Sequence, residues 1–99
     1  MDLKAFKASL DGAAPPDDAG PLLRALWHQG RGEWDEAHGI AQDRPDPAGA
    51  WVHAHLHRAE GDAGNAAYWY RRAGQPFPAA SLDEEWDEIA AALLSGPVA

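Results

Sequence analysis

Two similar segments stand at residues 32–37 (GEWDEA) and 61–66 (GDAGNA), at an offset of 29 residues. Each places a glycine and an acidic residue at a tight turn, followed by an alanine where the next helix would approach the preceding one closely. Apolar residues recur at helical spacing on both sides of each turn. We therefore expect two antiparallel helical hairpins that turn sharply at Gly32 and Gly61.

Proline and glycine divide the rest of the chain into pieces of helical length. Pro21 and Pro47 suit the first turn of a helix, where a missing N–H costs no hydrogen bond, and Ser81 with Glu84 forms a capping box. No segment alternates apolar and polar residues as a half-buried strand does. The predicted helices cover residues 2–10, 21–30, 33–43, 47–60, 62–73 and 82–94.

These helices predict a single all-α domain over residues 1–99. Its repeat-like core spans about residues 21–78 and consists of two short hairpin units, with loops over 11–20 and 75–80. Two such units rarely bury enough surface to be stable, so the flanking helices at 2–10 and 82–94 are expected to cover their ends. Five tryptophans supply the large rings that a chain of 99 residues needs for its core.

The turn at 32–37 resembles the turn between the two helices of a tetratricopeptide repeat. The spacing of that repeat's second helix and terminal proline is matched by Ala66, Tyr70, Ala73 and Pro78. This resemblance implies stacked helical hairpins whose concave side receives a peptide or a partner helix.

The chain also departs from that family's pattern. Its offset of 29 residues is shorter than the repeat length of about 34 residues, and His28 and His57 replace the expected large residue of the first helix. The segment 66–73 (AAYWYRRA) is similar to the related Sel1-like repeat, and the whole chain resembles a group of small bacterial proteins without assigned activity. None of these resemblances implies a particular chemistry.

The composition excludes several classes of protein. Sixteen acidic residues outnumber eight Lys and Arg, and the net charge of -8 argues against nucleic acid or an anionic membrane surface as the partner. The lack of cysteine excludes disulfides, thiolate metal sites and cysteine nucleophiles. No apolar run approaches the ~20 residues that span a bilayer, and residues 1–10 lack a signal-peptide pattern. We therefore expect a soluble, cytoplasmic protein.

The favoured function is a helical interaction module with no enzymatic activity and no cofactor. Its groove is predicted to be lined by Leu22, Leu26 and Gln29 on one helix and by Trp51, His55 and Arg58 on another. A tryptophan flanked by an arginine is a composition that tends to dominate binding energy. The expected partner is a protein or peptide, or a second copy of this chain.

The histidines carry the alternative function, a metal-dependent or acid–base enzyme. His53 and His57 are four residues apart on one helix face, whereas His55 points elsewhere. In the repeat register His28 is equivalent to His57, which predicts a divalent metal site of His28, His53 and His57. Such an ion would polarise a substrate oxygen or activate a water molecule.

Two alternatives to that metal site stay open. His38 or Glu60 would serve as the third ligand in place of His28. The competing structural interpretation is that the histidines are neutral, packed between helices and bonded to carboxylates or carbonyls. Their pKa values would then lie below the ordinary value near 6.5, and stability would decline as the pH falls.

Two charged segments receive structural interpretations. In 68–72 (YWYRR) we expect Trp69 and Tyr70 to face the core while the arginines pair with carboxylates at a helix C-terminus. An arginine grip on a peptide carboxylate is the functional alternative. The acidic run of the last helix is expected to be a solvated face and comprises Asp83, Glu84, Glu85, Asp87 and Glu88.

Overall fold

The computed structural model describes residues 1–95, whose regular secondary structure is entirely helical, and this confirms the predicted all-α class. The helices are α1 (Leu3–Ala8), α2 (Pro21–Gly30), α3 (Trp34–Ala41), α4 (Pro47–Ala59), α5 (Ala63–Ala73) and α6 (Leu82–Ser95), and a 3-10 turn at Ser9–Asp11 extends α1. The observed helix ends lie within two residues of the predicted ones. The predicted domain runs to residue 99, of which 96–99 lie outside the described residues. In the described range, no helix combines the length and the apolar character that crossing a bilayer requires.

Gly32 and Gly61 lie in the turns of the α2–α3 and α4–α5 hairpins, as predicted. Both adopt the left-handed backbone, with φ of 79° and 89°, which glycine reaches without the steric cost of a Cβ. The residue after each glycine donates its amide to the carbonyl five residues earlier, Glu33 to His28 and Asp62 to His57, both at 2.9 Å. Ala37 and Ala66, the small residues expected beyond the turns, are fully buried. The two hairpins therefore share one turn geometry.

Helices α1 and α6 cover the hairpins with aromatic rings. Phe6 of α1 stacks on Trp86 of α6 with ring centroids 5.6 Å apart, and the Trp86 indole donates to the Leu26 carbonyl at 3.0 Å. Trp27 and Ile89 are buried in the same core. Because large rings bury much area per residue, these contacts complete a core that two short hairpins alone would leave open.

The helix ends carry the caps that the sequence indicates. The Asp46 carboxylate accepts the Gly49 amide at 3.0 Å at the start of α4. The Ser81 hydroxyl accepts the Glu84 amide at 3.0 Å, and the Glu84 carboxylate accepts the Ser81 amide at 2.9 Å, which confirms the capping box of α6. Gly74 ends α5 with a left-handed φ of 71°. These caps fix where each helix begins or ends and thus which side chains it presents.

The loop between α3 and α4 lies tightly against the first turn of α4. A Cβ on Gly49 would stand 1.8 Å from the carbonyl oxygen of Arg44, so no side chain fits at this position without movement of the backbone. This close approach sets how α4 follows α3, and these two helices carry the candidate site described below.

We expect Gly49→Ala to destabilise the protein by about 1–3 kcal/mol, because the added methyl group overpacks this contact. Gly39→Ala is the matched control, since Gly39 lies inside α3 where a Cβ meets nothing within 4 Å. The control should gain about 0.5–1 kcal/mol from helix propensity. Urea unfolding measures both changes, and equal stability of the two variants would contradict the close approach.

Candidate metal centre

Helices α3 and α4 bring three imidazole rings together. Helix α4 presents His53 and His57 one turn apart, and α3 presents His38 against them. One nitrogen of each ring lies within 4.8 Å of the other two. The closest pair is His38 Nε2 and His53 Nε2, 3.1 Å apart, where one ring donates its N–H to the other. We call His38, His53 and His57 the imidazole cluster.

Two tryptophans form walls around the imidazole cluster. Trp34 stacks on His38 with ring centroids 4.7 Å apart, and Trp69 stacks on His53 at 4.0 Å. The Trp34 indole also donates to the Leu56 carbonyl at 2.8 Å, which fixes this ring against α4. Both tryptophans are half-buried, so the cluster lies at the edge of the core rather than inside it.

Glu60 orients one ring of the cluster. Its carboxylate accepts a hydrogen bond from His57 Nδ1 at 2.7 Å, which leaves His57 Nε2 as the nitrogen that can bind a ligand. Metal-binding histidines commonly donate their second ring nitrogen to a carboxylate in this way, because the bond fixes the tautomer and raises the basicity of the other nitrogen.

The surroundings keep two of the three rings neutral. Burial, with smaller contributions from His38 and His57, lowers the pKa of His53 to about 4. Burial and the nearby His57 also lower the pKa of His38, against the opposing attraction of Glu60 and Asp35. Neutral imidazole is the form that binds metal ions, so these rings are ready to act as ligands at neutral pH.

The spacing of the cluster is close to that of a metal site. A tetrahedral Zn²⁺ holds nitrogen ligands at about 2.0–2.1 Å, which places two such ligands about 3.3 Å apart. The His38 and His53 nitrogens are already separated by 3.1 Å. The third nitrogen lies within 4.8 Å, so it needs to approach by at most about 1.5 Å, which a side-chain rotation provides.

His28 is not part of the imidazole cluster, so the predicted ligand set of His28, His53 and His57 is wrong in one member. His28 Nδ1 is bonded to the carboxylate of Glu33 in its own turn at 2.8 Å. Because His28 and His57 hold equivalent places in successive hairpins, each meets the acidic residue of its own turn rather than the other ring. The alternative third ligand, His38, takes the place of His28.

The predicted partner groove is covered by α6. Leu26 and His55 are fully buried, so their prediction as partner contacts is wrong. The Leu26 carbonyl accepts the indole of Trp86, and Arg58 is bonded to Glu85 at 3.0 Å. The chain's own last helix therefore occupies this face of α2 and α4.

The three other groove residues lie apart from one another. Trp51 is half-buried against both hydrophobic clusters of the core. Leu22 lines a cleft of about 540 Å³ beside Leu93, whereas Gln29 lines a separate cleft of about 360 Å³ beside Lys7. Within residues 1–95, the six side chains predicted to line the groove therefore do not share one open surface.

Glu85 is the polar anchor between α6 and the second hairpin. It is 2% exposed and accepts hydrogen bonds from His55 Nδ1 at 2.7 Å, from the Tyr70 hydroxyl at 2.6 Å and from Arg58 at 3.0 Å. Arg58 also donates to the Ala80 carbonyl. One carboxylate thereby joins α4, α5 and α6.

The expectation that the whole acidic run is solvated is wrong for Glu85. Asp83, Glu84 and Glu88 are exposed as expected, but Glu85 falls on the stripe that also contains Ile89 and faces the core. That register was visible in the sequence, because Glu85 is four residues before Ile89.

The protonation of this anchor is set by its neighbours. Burial raises the pKa of Glu85, but the hydrogen bonds from His55, Tyr70 and Arg58 together outweigh it and the pKa is lowered. Burial and the bond to Glu85 raise the pKa of Tyr70. At neutral pH Glu85 is therefore a carboxylate and Tyr70 a neutral donor to it.

We expect Glu85→Gln to destabilise the protein by about 3 kcal/mol, because Arg58 would lose its buried counter-charge. Glu88→Gln on the exposed face of α6 is the matched control and should stay within about 0.5 kcal/mol of the unmodified protein. Chemical unfolding at pH 7 compares the two. A small loss for Glu85→Gln, equal to that of the control, would show that the anchor contributes little.

We expect the metal-free protein to lose stability between pH 6.5 and 5, because the pKa of His53 is about 4 in the folded chain and near 6.5 in the unfolded one. The stabilisation from neutral His53 is complete above pH 6.5. At pH 5 the free energy of unfolding is lower by about 2 kcal/mol. Glu85 contributes little in this window. Because its pKa is lowered in the folded chain, its stabilisation is lost only as the pH falls below its ordinary value of 4.5.

Unfolding in the presence of a chelator, repeated from pH 7.5 to 5, measures this slope. His53→Asn removes the ring with the larger shift and should make the slope shallower, with a remainder from His38, whose pKa is also lowered. An unmodified protein whose stability is constant over this range would contradict a buried neutral His53.

Comparison with known proteins assigns no function to this site. No family model, no curated protein and no solved structure matches the chain. The resemblance to tetratricopeptide and Sel1-like repeats therefore stays a prediction from the sequence, although the two hairpins and their glycine turns are present.

Proposed function

We propose that the protein binds a divalent first-row transition metal ion, with Zn²⁺ as the simplest occupant, through His38, His53 and His57. The observation that carries this proposal is the convergence of one nitrogen from each ring to within 4.8 Å. Two adjacent helices supply the rings, and Glu60 orients the third of them from outside.

The competing explanation is that these are ordinary packed histidines. The other two histidines of the chain are packed in this way, and each is bonded to a carboxylate. His28 is bonded to Glu33 at 2.8 Å, and His55 to Glu85 at 2.7 Å. In the described part of the chain, by contrast, the hydrogen-bond partner of His38 is another imidazole, His53. One hydrogen bond satisfies this pair, but neither nitrogen is held by a carboxylate or a carbonyl, so both can turn to a shared ligand.

The donor set favours particular ions. Three neutral nitrogen donors suit Zn²⁺, Cu²⁺, Ni²⁺ or Co²⁺, whereas Ca²⁺ and Mg²⁺ require mainly oxygen ligands. The net charge of -8 raises the local concentration of any cation around the chain. The proposal is thus restricted to borderline transition metals.

Metal binding at this place would join the two hairpins. His38 belongs to the first hairpin, and His53 and His57 belong to the second. An ion held by all three would cross-link α3 and α4, so that its binding free energy adds to the stability of the fold. The partner-binding function stays a prediction from the sequence, since the face predicted for it is covered by α6.

We expect untagged protein, freed of metal with a chelator, to bind one equivalent of Zn²⁺ in calorimetry. Free Zn²⁺ at 100 times its Kd should stabilise the fold by about 2.7 kcal/mol, and the melting temperature should rise by about 10 °C or more. Glu60→Gln should weaken binding about 10- to 100-fold, because it removes the carboxylate behind His57.

The variants His38→Asn and His28→Asn form a matched pair. Both residues are half-buried histidines on neighbouring helices, but only His38 belongs to the cluster. His38→Asn should abolish the Zn²⁺-induced rise in melting temperature, and His28→Asn should preserve it. Loss of the rise in both variants, or in neither, would refute the proposed ligand set, and circular dichroism checks that each variant folds.

A further inference from the structure

The geometry points to an ion that keeps one coordination position open and takes a small anion there. This inference rests on the proposed metal binding and names the kind of ligand that the bound ion would accept. It is carried by the number of protein donors, by their charge and by an arginine without a salt bridge that lies on Trp69, next to one of the donor rings.

The imidazole cluster supplies three ligands. Within residues 1–95, the potential ligands that converge with His38 and His53 are completed by His57. Glu60 is the nearest carboxylate to this ring, but it is held by His57 Nδ1 at 2.7 Å and stands behind the ligand rather than beside it. A tetrahedral ion with three protein ligands keeps its fourth position for water or an external ligand.

The charge of the site favours an anion in that position. Neutral imidazoles add no negative charge to the ion, so the positive charge at the fourth position is offset only in part, by the nearby carboxylates of Glu60 and Asp35. The stacked rings of Trp34 and Trp69 exclude water from two sides and lower the local dielectric, which strengthens the attraction.

The burial of the rings limits the size of the ligand. His53 and His57 are 6% and 7% exposed, whereas His38 is half-buried. His38 is therefore the ring most accessible to solvent, and Trp34 covers one of its faces. A small inorganic anion or a single carboxylate needs less room beside such a ring than a bulky ligand does.

Arg72 places a positive charge on Trp69, the ring that stacks on His53. Its guanidinium lies over Trp69 at 5.5 Å from the ring centroid, and Trp69 in turn stacks on His53. Arg72 is exposed and forms no salt bridge with a carboxylate in the described residues. The expected pairing of this arginine with the protein's abundant carboxylates is thus absent there, and its charge stays free to attract an anion.

The neighbouring Arg71 offers an internal control. It is also exposed and lies on the same helix, but in the described part of the chain it makes no cation–π contact with Trp69. The two arginines therefore separate the effect of a positioned charge from that of net charge.

The test uses the full chain loaded with Co²⁺, whose visible absorption reports its coordination, and azide as the anion. Binding of one Co²⁺ is established first, so that failure of metal binding is recognised before azide is added. We expect azide to change the visible spectrum in a saturable way. Arg72→Gln should weaken azide binding about threefold without changing Co²⁺ affinity, and Arg71→Gln should leave both unchanged.

Each other outcome overturns a defined part of the inference. A Co²⁺ spectrum that azide does not change would show that the fourth position is closed, while metal binding itself would stand. Equal azide affinities in Arg72→Gln and Arg71→Gln would remove the role assigned to Arg72. Absence of Co²⁺ binding would instead refute the proposed function.

Discussion

The fold depends on the burial of polar side chains on two opposite faces of α4. His53 and His57 face α3, whereas His55 and Arg58 face α6. Burying such groups costs free energy unless each finds a partner, so α4 can occupy the centre only if its neighbours supply those partners. The positions of α3 and α6 are therefore constrained by polar contacts as well as by apolar packing.

The two faces of α4 solve this problem differently. Toward α6, the single carboxylate of Glu85 accepts from an imidazole, a phenol and a guanidinium. Toward α3, imidazole meets imidazole, and the carboxylate of Glu60 is bonded to the outer side of His57. The first face holds the structure together. The second face retains ligand capacity, which is a pattern typical of functional sites that are not optimised for stability.

The sequence predicted what depends on neighbouring residues. The turns at Gly32 and Gly61 and the capping box at Ser81 follow from short-range rules, because each involves residues at most five positions apart. The pair His53 and His57 was likewise readable from helical spacing. These local features place all six helices, but they do not say which helix faces each histidine.

What the sequence did not predict depends on contacts between distant segments. His38 joins His53 across 15 positions, and Glu85 reaches His55 across 30. Assigning His28 to the cluster assumed that equivalent residues of successive hairpins converge, but each is held by the acidic residue of its own turn. The partner groove was misjudged for a related reason, because α6 of the same chain packs over Leu26 and His55 and buries them.

The position of the imidazole cluster gives metal binding a structural consequence. In the repeat register α2–α3 and α4–α5 are separate units, joined by the tight loop before α4. Both units contribute to one apolar core, and small domains are often stabilised further by a metal ion. The cluster lies at this junction, with one ligand from the first hairpin and two from the second. An ion there would cross-link the two hairpins through His38 and His53, two rings whose hydrogen bond in the free protein is to each other.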